Sequence, residues 1–297
     1  MKSRRLALAA FATLGAAAAL VLSSPSSALN ALAAVDSRLA ETGLAYGPLP
    51  RQRYDLYRPP PALRAPPAGF PLIVFFYGGS WNRGERADYR FVGEALAARG
   101  MVVMVADYRL YPEVRYPDFL HDCAAALAHG LAHAASFGAD RRRVFVMGHS
   151  AGAYNAAMLA LDARWLRAAG HEPAELAGWI GLAGPYDFLP ITNPDARPVF
   201  HHPEVPPGTQ PIGHVQGAAP LPAFLGAASS DDLVNPQRNS VGLGNALRAQ
   251  GVPVSLHLYA RVNHITLIGA FAWPLRWLAP VLGDVVAFVE ATAANPA

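Results

Sequence analysis

One serine lies where strand-like composition gives way to helix-like composition. Residues 143–147 are mostly β-branched or aromatic, whereas residues 151–161 are mostly alanine and other helix-forming residues. Between them, Gly148, Ser150 and Gly152 form the pattern G-x-S-x-G, a tight turn that exposes the serine hydroxyl at the carboxyl edge of a sheet. The first backbone N–H groups of the following helix point toward the same place. Ser150 is therefore the candidate nucleophile.

A serine hydroxyl attacks only when a base removes its proton, and a carboxylate must orient that base. His264 follows the predicted strand 252–260, and we expect it on a loop at the same sheet edge as Ser150. Asp231 and Asp232 follow the preceding predicted strand, 221–228. The residues themselves do not separate these two carboxylates, and Asp187 is a third, more distant candidate.

Two glycines are placed to supply the electrophilic part of such a site. The apolar run 71–77 leads directly into Gly78 and Gly79, where the lack of a side chain lets backbone N–H groups approach a ligand closely. An acyl-transfer reaction needs fixed donors for the oxygen that becomes negative. We expect Gly78, Gly79 and the N–H of Ala151 to form this oxyanion hole.

The elements that carry these residues alternate between strand and helix. This alternation predicts right-handed βαβ units, a mainly parallel sheet and a single α/β domain over residues 34–297. Residues 184–220 interrupt it with many prolines and glycines, and we expect them to form a cap or lid. The predicted strands are 51–58, 71–77, 101–109, 143–147, 179–183, 221–228 and 252–260, and the predicted helices are 87–98, 117–137, 151–161 and 237–250, with helical segments to about 291.

These motifs resemble those of the α/β-hydrolase superfamily, in particular its esterase and lipase-like group, which includes kynurenine formamidase-like proteins. YGGSW at residues 77–81 is similar to the HGGxW oxyanion motif, with Tyr77 in place of histidine and Trp81 conforming, and GHSAG is similar to the nucleophile elbow. The resemblance covers about residues 55–268. It implies helices on both faces of the sheet, and we expect Trp81 and the insertion at residues 184–220 to line the substrate pocket. It also favours Asp231 as the acid, three residues before Val234.

The amino terminus has the character of an export signal. Lys2, Arg4 and Arg5 precede a 17-residue apolar run, and small residues then offer cleavage sites, so residues 1–33 are interpreted as a signal peptide. The mature protein is then periplasmic or secreted, whereas an uncleaved segment would anchor it to a membrane. Removing the three cations takes the formal net charge from +3 to 0, which gives no indication of nucleic-acid binding.

Other residues that could react are given structural interpretations. The single cysteine, Cys123, lies in a predicted helix and is expected to be a buried thiol. His129 and His133 lie on one helix face but lack an acidic partner, so no metal is expected there. His257 is expected to pack within its strand. The sequence has neither a dinucleotide-binding glycine motif nor a phosphate loop, and no cofactor is expected.

The leading hypothesis is therefore a serine hydrolase that cleaves small or medium acyl or aryl esters. An amidase similar to arylformamidases would use the same three residues. A hydrolase-like fold that only binds its ligand is the third possibility. Under the leading hypothesis, the expected partner is a small-molecule ester. The oligomeric state is not indicated by the sequence.

Overall fold

The structure, a computed structural model, describes Asn30 and residues 39–294. Its strands form one eight-stranded sheet with the order β1-β2-β4-β3-β5-β6-β7-β8. The two pairings that involve β2 are antiparallel, and all the others are parallel. The strands are β1 (Leu39–Ala45), β2 (Arg53–Tyr57), β3 (Phe70–Phe76), β4 (Val102–Ala106), β5 (Ala139–His149), β6 (Gly178–Leu182), β7 (Ala223–Ala228) and β8 (Val254–Tyr259).

The predicted mainly parallel sheet and α/β-hydrolase fold are confirmed. The strand β1 was not predicted, because its segment, LAETGLA, lacks both a continuous apolar run and a clear alternation. It can remain partly polar because it is an edge strand. By contrast, every residue of β4, β6 and β7 is buried, which is typical of strands covered on both faces.

The predicted helices are present, with changes at their ends. The helix predicted at 87–98 begins as a 3₁₀ turn, Arg86–Tyr89, and the one predicted at 237–250 begins as a π turn, Gln237–Val241. The helix predicted at 117–137 ends in the 3₁₀ turn Ala134–Phe137. The helices are α1 (Arg90–Ala97), α2 (Asp118–His133), α3 (Ala151–Leu161), α4 (Arg164–Ala168), α5 (Gly242–Ala249), α6 (His264–Gly269) and α7 (Val281–Ala294).

The strand order also places the helices on two faces of the sheet. The chain moves one way across the sheet from β3 to β4 and the other way from β4 to β5, so right-handed crossovers put α1 and α2 on opposite faces. Consistent with this, α1 packs with α7, while α2 packs with α3 and α4. The parallel strands therefore all end at one carboxyl edge, where Ser150 follows β5.

Residues 184–220 form an irregular segment whose only regular element is the 3₁₀ turn Pro211–His214. Within the described part of the chain, every helix is too short or too polar to cross a membrane. The expected signal peptide, or anchor, at residues 1–33 lies outside the described residues except for Asn30.

Candidate active site

The turn around Ser150 has the geometry that exposes a nucleophile. Ser150 has φ 55° and ψ −120°, a left-handed conformation that is rare for a residue with a side chain, and its N–H donates to the Leu182 carbonyl at 2.8 Å. The flanking glycines are needed because the chain is so close to itself. A Cβ on Gly148 would lie 2.0 Å from the Gly152 carbonyl oxygen, and one on Gly152 would lie 2.0 Å from that of Phe76.

The structure brings Ser150, His264 and Asp231 into one hydrogen-bonded chain. The Ser150 hydroxyl oxygen lies 2.8 Å from His264 Nε2, and His264 Nδ1 lies 2.7 Å from Asp231 Oδ2. The side chains of His264 and Asp231 are 7% and 0% exposed, so little water competes for these bonds. With the proton on Nδ1 donated to the carboxylate, Nε2 is free to accept the serine proton.

Asp231 is held ionised by its surroundings. Burial alone would raise the pKa of this carboxyl, but the bond to His264 and the backbone N–H groups of Val234 and Leu233 lower it below its ordinary value. Both N–H groups donate to Oδ1 at 2.9 Å, which leaves Oδ2 for the histidine. A charged acceptor on Nδ1 favours the imidazolium that forms when His264 takes a proton.

The other two candidate acids lie elsewhere. Asp232 is exposed and borders the cavity beside Ser150, but it makes no hydrogen bond to His264. Asp187 is bound to Arg238 through two hydrogen bonds of 2.8 and 3.0 Å. Only Asp231 therefore orients the imidazole.

His264 was expected on a loop, but it is the first residue of α6. The side chain of Asn263 accepts hydrogen bonds from the N–H groups of Ile265 and Thr266, and the Thr266 hydroxyl accepts one from the Asn263 N–H, which makes a capping box. The polar residues at 263 and 266 could have revealed this helix start. The cap fixes the direction in which the His264 side chain leaves the backbone.

A second histidine, His149, contacts the backbone of His264. His149 is 2% exposed, and its Nε2 donates to the His264 carbonyl at 3.0 Å. Burial and the nearby His264 lower the pKa of His149 to about 3, so its ring is neutral at physiological pH. Sequence reasoning did not single out this residue, which occupies the variable position of the elbow motif.

The predicted oxyanion loop lies directly against Ser150. A Cβ on Gly78 would lie 2.9 Å from the Cβ of Ser150, and Gly79 has φ 133°. Ser80 and Trp81 also have left-handed backbones, with φ 51° and 57°. The N–H groups of residues 82 and 83 both donate to the Gly79 carbonyl at 3.1 Å, which holds this strained turn.

The loop reaches the cavity through Ser80, which was not predicted, as well as through Trp81. Ser80 and Ala151 border the cavity, whereas Gly78 and Gly79 do not. The Ser80 hydroxyl accepts a hydrogen bond from Asn193 at 3.3 Å, which ties the loop to the irregular segment. The N–H groups of Ala153 and Tyr154 donate to the Ser150 carbonyl, so the backbone N–H groups that can face a ligand there belong to the loop and to Ala151, the first residue of α3.

Trp81, the expected substrate-binding residue, is mostly buried. It borders the cavity but is only 3% exposed. Its indole N–H donates to Asn155 Oδ1 at 2.9 Å, and its ring contacts aromatic side chains from α2, α3 and the irregular segment. Trp81 therefore packs the oxyanion loop against α3, the helix that follows Ser150.

Tyr77, which replaces the motif histidine, packs in the interior. Its ring is stacked between those of Tyr89 and Tyr108, with centroids at 5.8 and 4.8 Å, and Arg51 donates to its hydroxyl at 2.7 Å. Burial and the charge of Asp107 raise the pKa of Tyr77 well above its ordinary value. The phenol is therefore a neutral packing residue under the loop.

A cavity of about 380 Å³ opens beside Ser150. The irregular segment forms one part of its wall, and the loop of Ser80 and Trp81 forms another. The segment is held at its start by buried Asn239, whose side-chain oxygen accepts the N–H groups of Tyr186 and Asp187. Its residues that border the cavity are Pro185, Phe188, Ile191, Thr192, Asn193, Pro194, Asp195 and Ala196.

The remaining residues that could react lie outside this site. Cys123 is buried, and burial raises the pKa of its thiol well above the ordinary value. His129 and His133 stack on each other with centroids 4.1 Å apart, and His257 stacks on Phe224 while remaining 38% exposed. Among the described residues, no three His, Cys, Asp or Glu side chains are grouped as a metal site requires.

This arrangement places a hydroxyl, an imidazole and a carboxylate in series beside a cavity, a geometry that can support acyl transfer. A family model described as BD-FAE matches residues 54–247. The chain belongs to the BD-FAE family. The matched span runs from β2 through α5 and so includes the oxyanion loop, Ser150 and Asp231, but it ends before His264.

Sequence relatives include enzymes named as esterases. The chain is 28% identical to isoprenylcysteine alpha-carbonyl methylesterase ICME of Arabidopsis thaliana over 78% of its own length and 58% of the relative. It is 31% identical to esterase LipC of Mycobacterium tuberculosis over 69% of its length and 54% of the relative. The chain thus spans little more than half the length of these two relatives.

Solved structures show the same fold. Esterase B from Lactobacillus rhamnosis superposes with a TM-score of 0.71 at 20% identity, covering 95% of this chain and 97% of that one. A truncated carbohydrate esterase from gut microbiota superposes with a TM-score of 0.69 at 17% identity, covering 87% of this chain and 98% of that one.

Proposed function

We propose that this protein is a serine hydrolase that cleaves carboxylic esters through an acyl-enzyme intermediate. The observation that carries the proposal is the chain Ser150–His264–Asp231, with hydrogen bonds of 2.8 and 2.7 Å. Membership of the BD-FAE family and the esterase names of the relatives support ester substrates.

In this proposal the reaction has two halves. The Ser150 hydroxyl oxygen attacks the ester carbonyl carbon while His264 Nε2 takes the hydroxyl proton. The carbonyl oxygen becomes negative and is stabilised by the N–H of Ala151 and by N–H groups of the loop at residues 78–80. The alcohol then leaves with the proton from His264. Water, activated by the same nitrogen, releases the acid and restores Ser150.

The cavity favours a small or medium acyl or aryl group. About 380 Å³ is at the small end of the range for ligand pockets, and it excludes a long chain lying wholly inside. Trp81, Phe188 and Ile191 supply apolar contacts. Arg83 and Asp195 form an exposed ion pair of 2.7 Å beside the cavity, and exposed Asp232 also borders it.

A burst experiment tests the chemistry. Purified protein mixed with p-nitrophenyl acetate should release nitrophenol first in a rapid phase equal to the enzyme concentration and then at a steady rate. Ser150→Ala should abolish both phases while leaving the circular dichroism spectrum unchanged. If the alanine variant keeps its activity, Ser150 is not the nucleophile.

Two further assays on the purified protein distinguish esterase activity from its two alternatives. An amidase would cleave a formyl-anilide at a rate comparable to the matched aryl ester, whereas an esterase favours the ester strongly. A binding protein without catalytic activity would leave a fluorophosphonate probe unreacted while folded. A panel of esters of increasing acyl length would then define the substrate.

We also propose that the protein acts outside the cytoplasm, after export directed by residues 1–33. The basic start, the apolar run and the small residues that follow support this location. Cell fractionation and amino-terminal sequencing of the mature protein test it. A protein that retains Met1 and sediments with membranes would instead be anchored.

A further inference from the structure

The described surface carries seven large, exposed apolar side chains, and they are unevenly distributed. Leu63 and Leu258 lie apart, on the groove beside β3 and on the edge strand β8. The other five lie close in sequence to the active site or to α6. We call these five the apolar rim: Leu189, Leu233, Ile265, Trp273 and Trp277. Contiguous exposed apolar surface on a soluble domain marks an interaction site.

One rim residue borders the cavity, and two others are next in sequence to residues that border it. Leu233 borders it directly and is 71% exposed. Ile265 follows His264 in the first turn of α6 and is 48% exposed. Leu189 follows Phe188, which borders the cavity from the irregular segment. Exposed apolar side chains thus lie at the place where substrate must enter.

The two tryptophans lie at the same edge of the sheet, as the direction of α7 shows. Glu290, in the second half of α7, borders a groove with Phe70 and Met101, which lie at the starts of β3 and β4 and therefore at the amino edge. A helix of this length extends about 20 Å, so its start at Val281 lies toward the carboxyl edge. Residues 270–280 join α6 to that start.

The exposure of these tryptophans is unusual. Trp273 and Trp277 are 61% and 72% exposed, although tryptophan is highly buried on average. They stand four residues apart, with Trp273 in the 3₁₀ turn Trp273–Leu275 and Trp277 just after it. An indole with an apolar body and one N–H donor suits the boundary between hydrocarbon and water.

The amino-terminal sequence reaches the same edge. Asn30 bonds to the carbonyl of Ala87 and the N–H of Phe91 at the start of α1, which follows β3 and so begins at the carboxyl edge. The 17-residue apolar run at positions 6–22 ends eight residues earlier. In a protein that keeps residues 1–33 uncleaved, contact of this run with a bilayer would therefore bring the rim toward the lipid.

We propose that the apolar rim docks on a lipid surface and that the site takes ester groups of amphiphiles held in that surface. The second part rests on the proposed function. A fluid lipid layer can cover the rim and still deliver substrate to the cavity that Leu233 borders. A second copy packed tightly on the same five residues would close that cavity, which argues against a stable dimer through this face.

Vesicles of phosphatidylcholine that contain hexadecyl acetate test the proposal with the full chain. The readout is acetate release from these vesicles divided by turnover of p-nitrophenyl acetate in solution. Trp273→Ser with Trp277→Ser should lower this ratio at least about tenfold, because two buried apolar side chains are lost from the bound state. The matched control, Leu63→Ser with Leu258→Ser, removes two exposed apolar side chains outside the rim and should leave the ratio unchanged.

The soluble substrate keeps the two proposals apart. If the unmodified protein does not turn over p-nitrophenyl acetate, ester hydrolysis is refuted. If the tryptophan variant keeps the same ratio of vesicle to solution turnover, only lipid docking is refuted. Light scattering after size exclusion supplies the remaining outcome. If the unmodified protein is a dimer and the tryptophan variant a monomer, the rim is a contact between copies and the lipid proposal is wrong.

Discussion

Asp231 and Asp232 are adjacent carboxylates with opposite surroundings, and their amides make a sharp test of the site. In Asp231→Asn the amide oxygen can still accept the N–H groups of Leu233 and Val234, which lie 2.9 Å from Oδ1, so the loop should keep its shape. The amide nitrogen then faces His264 Nδ1 and can only donate. The histidine must move its proton to Nε2, which can no longer accept the proton of Ser150.

The size of the effect follows from the burial of this pair. The Asp231 carboxylate is fully buried 2.7 Å from His264, so no water replaces the lost charge. Removal of the acid in this way costs roughly 10⁴-fold in kcat, about 5 kcal/mol of activation free energy. Asp232 is exposed, and its charge is screened by water, so Asp232→Asn should change kcat by less than about threefold.

The assay is steady-state hydrolysis of p-nitrophenyl acetate from pH 6 to 9, with thermal unfolding as the check on the fold. Asp231→Asn should lower kcat, with KM nearly unchanged because the acid does not touch the substrate. The reasoning fails if Asp231→Asn keeps more than a tenth of the activity while Asp232→Asn loses it. In that case the hydrogen bond seen here is not the one that works in catalysis.

Three further predictions follow from buried contacts. Because its pKa is about 3, His149 stays neutral in the folded protein, whereas in the unfolded chain it is protonated below about pH 6.5. The free energy of unfolding should therefore fall by about 1.4 kcal/mol per pH unit as the pH drops from about 6.5 toward about 3. Urea unfolding of His149→Asn should show a smaller loss over the same range. Gly152→Ala should lower stability by about 3 kcal/mol or abolish folding, whereas Gly213→Ala, where a Cβ meets nothing within 4 Å, should leave Tm unchanged. Trp81→Phe leaves Asn155 Oδ1 buried without its donor and should cost about 1–3 kcal/mol in denaturant unfolding, and the cost should shrink in a background of Asn155→Leu.

Much of the fold could be predicted from the sequence because its central strands are buried on both faces. Strands such as β3 and β4 are continuous apolar runs, and glycines end the intervening helices. The strand β1 could not be predicted, since edge pairing with β2 depends on a partner distant in sequence. The short π and 3₁₀ turns at the starts of helices also leave little trace in hydrophobic periodicity.

The site was predictable where chemistry restricts the residue type, and not where the backbone alone acts. Motif, chain order and strand ends predicted Ser150, His264 and a choice of two aspartates, and the structure brings Ser150, His264 and Asp231 together. The choice between the two aspartates needed a resemblance, because only tertiary structure buries one of them. Ser80 was missed because its contribution is a backbone conformation, and the elbow residue His149 because its role depends on contact with a residue 115 positions away.

Tyr77 shows how a departure from a motif can be accommodated by residues outside it. The aromatic stack with Tyr89 and Tyr108 leaves the phenol hydroxyl pointing at Arg51, which also donates to the carbonyls of Tyr108 and Gly84. Since the phenol remains neutral, the charge of Arg51 is balanced by Asp107, 3.9 Å away. Arg51 precedes β2 and lies outside the oxyanion motif. It nevertheless links Tyr77, the residue before Gly78, to Gly84, which follows the oxyanion loop. The support of the oxyanion loop in this chain is therefore a tyrosine and an arginine acting together.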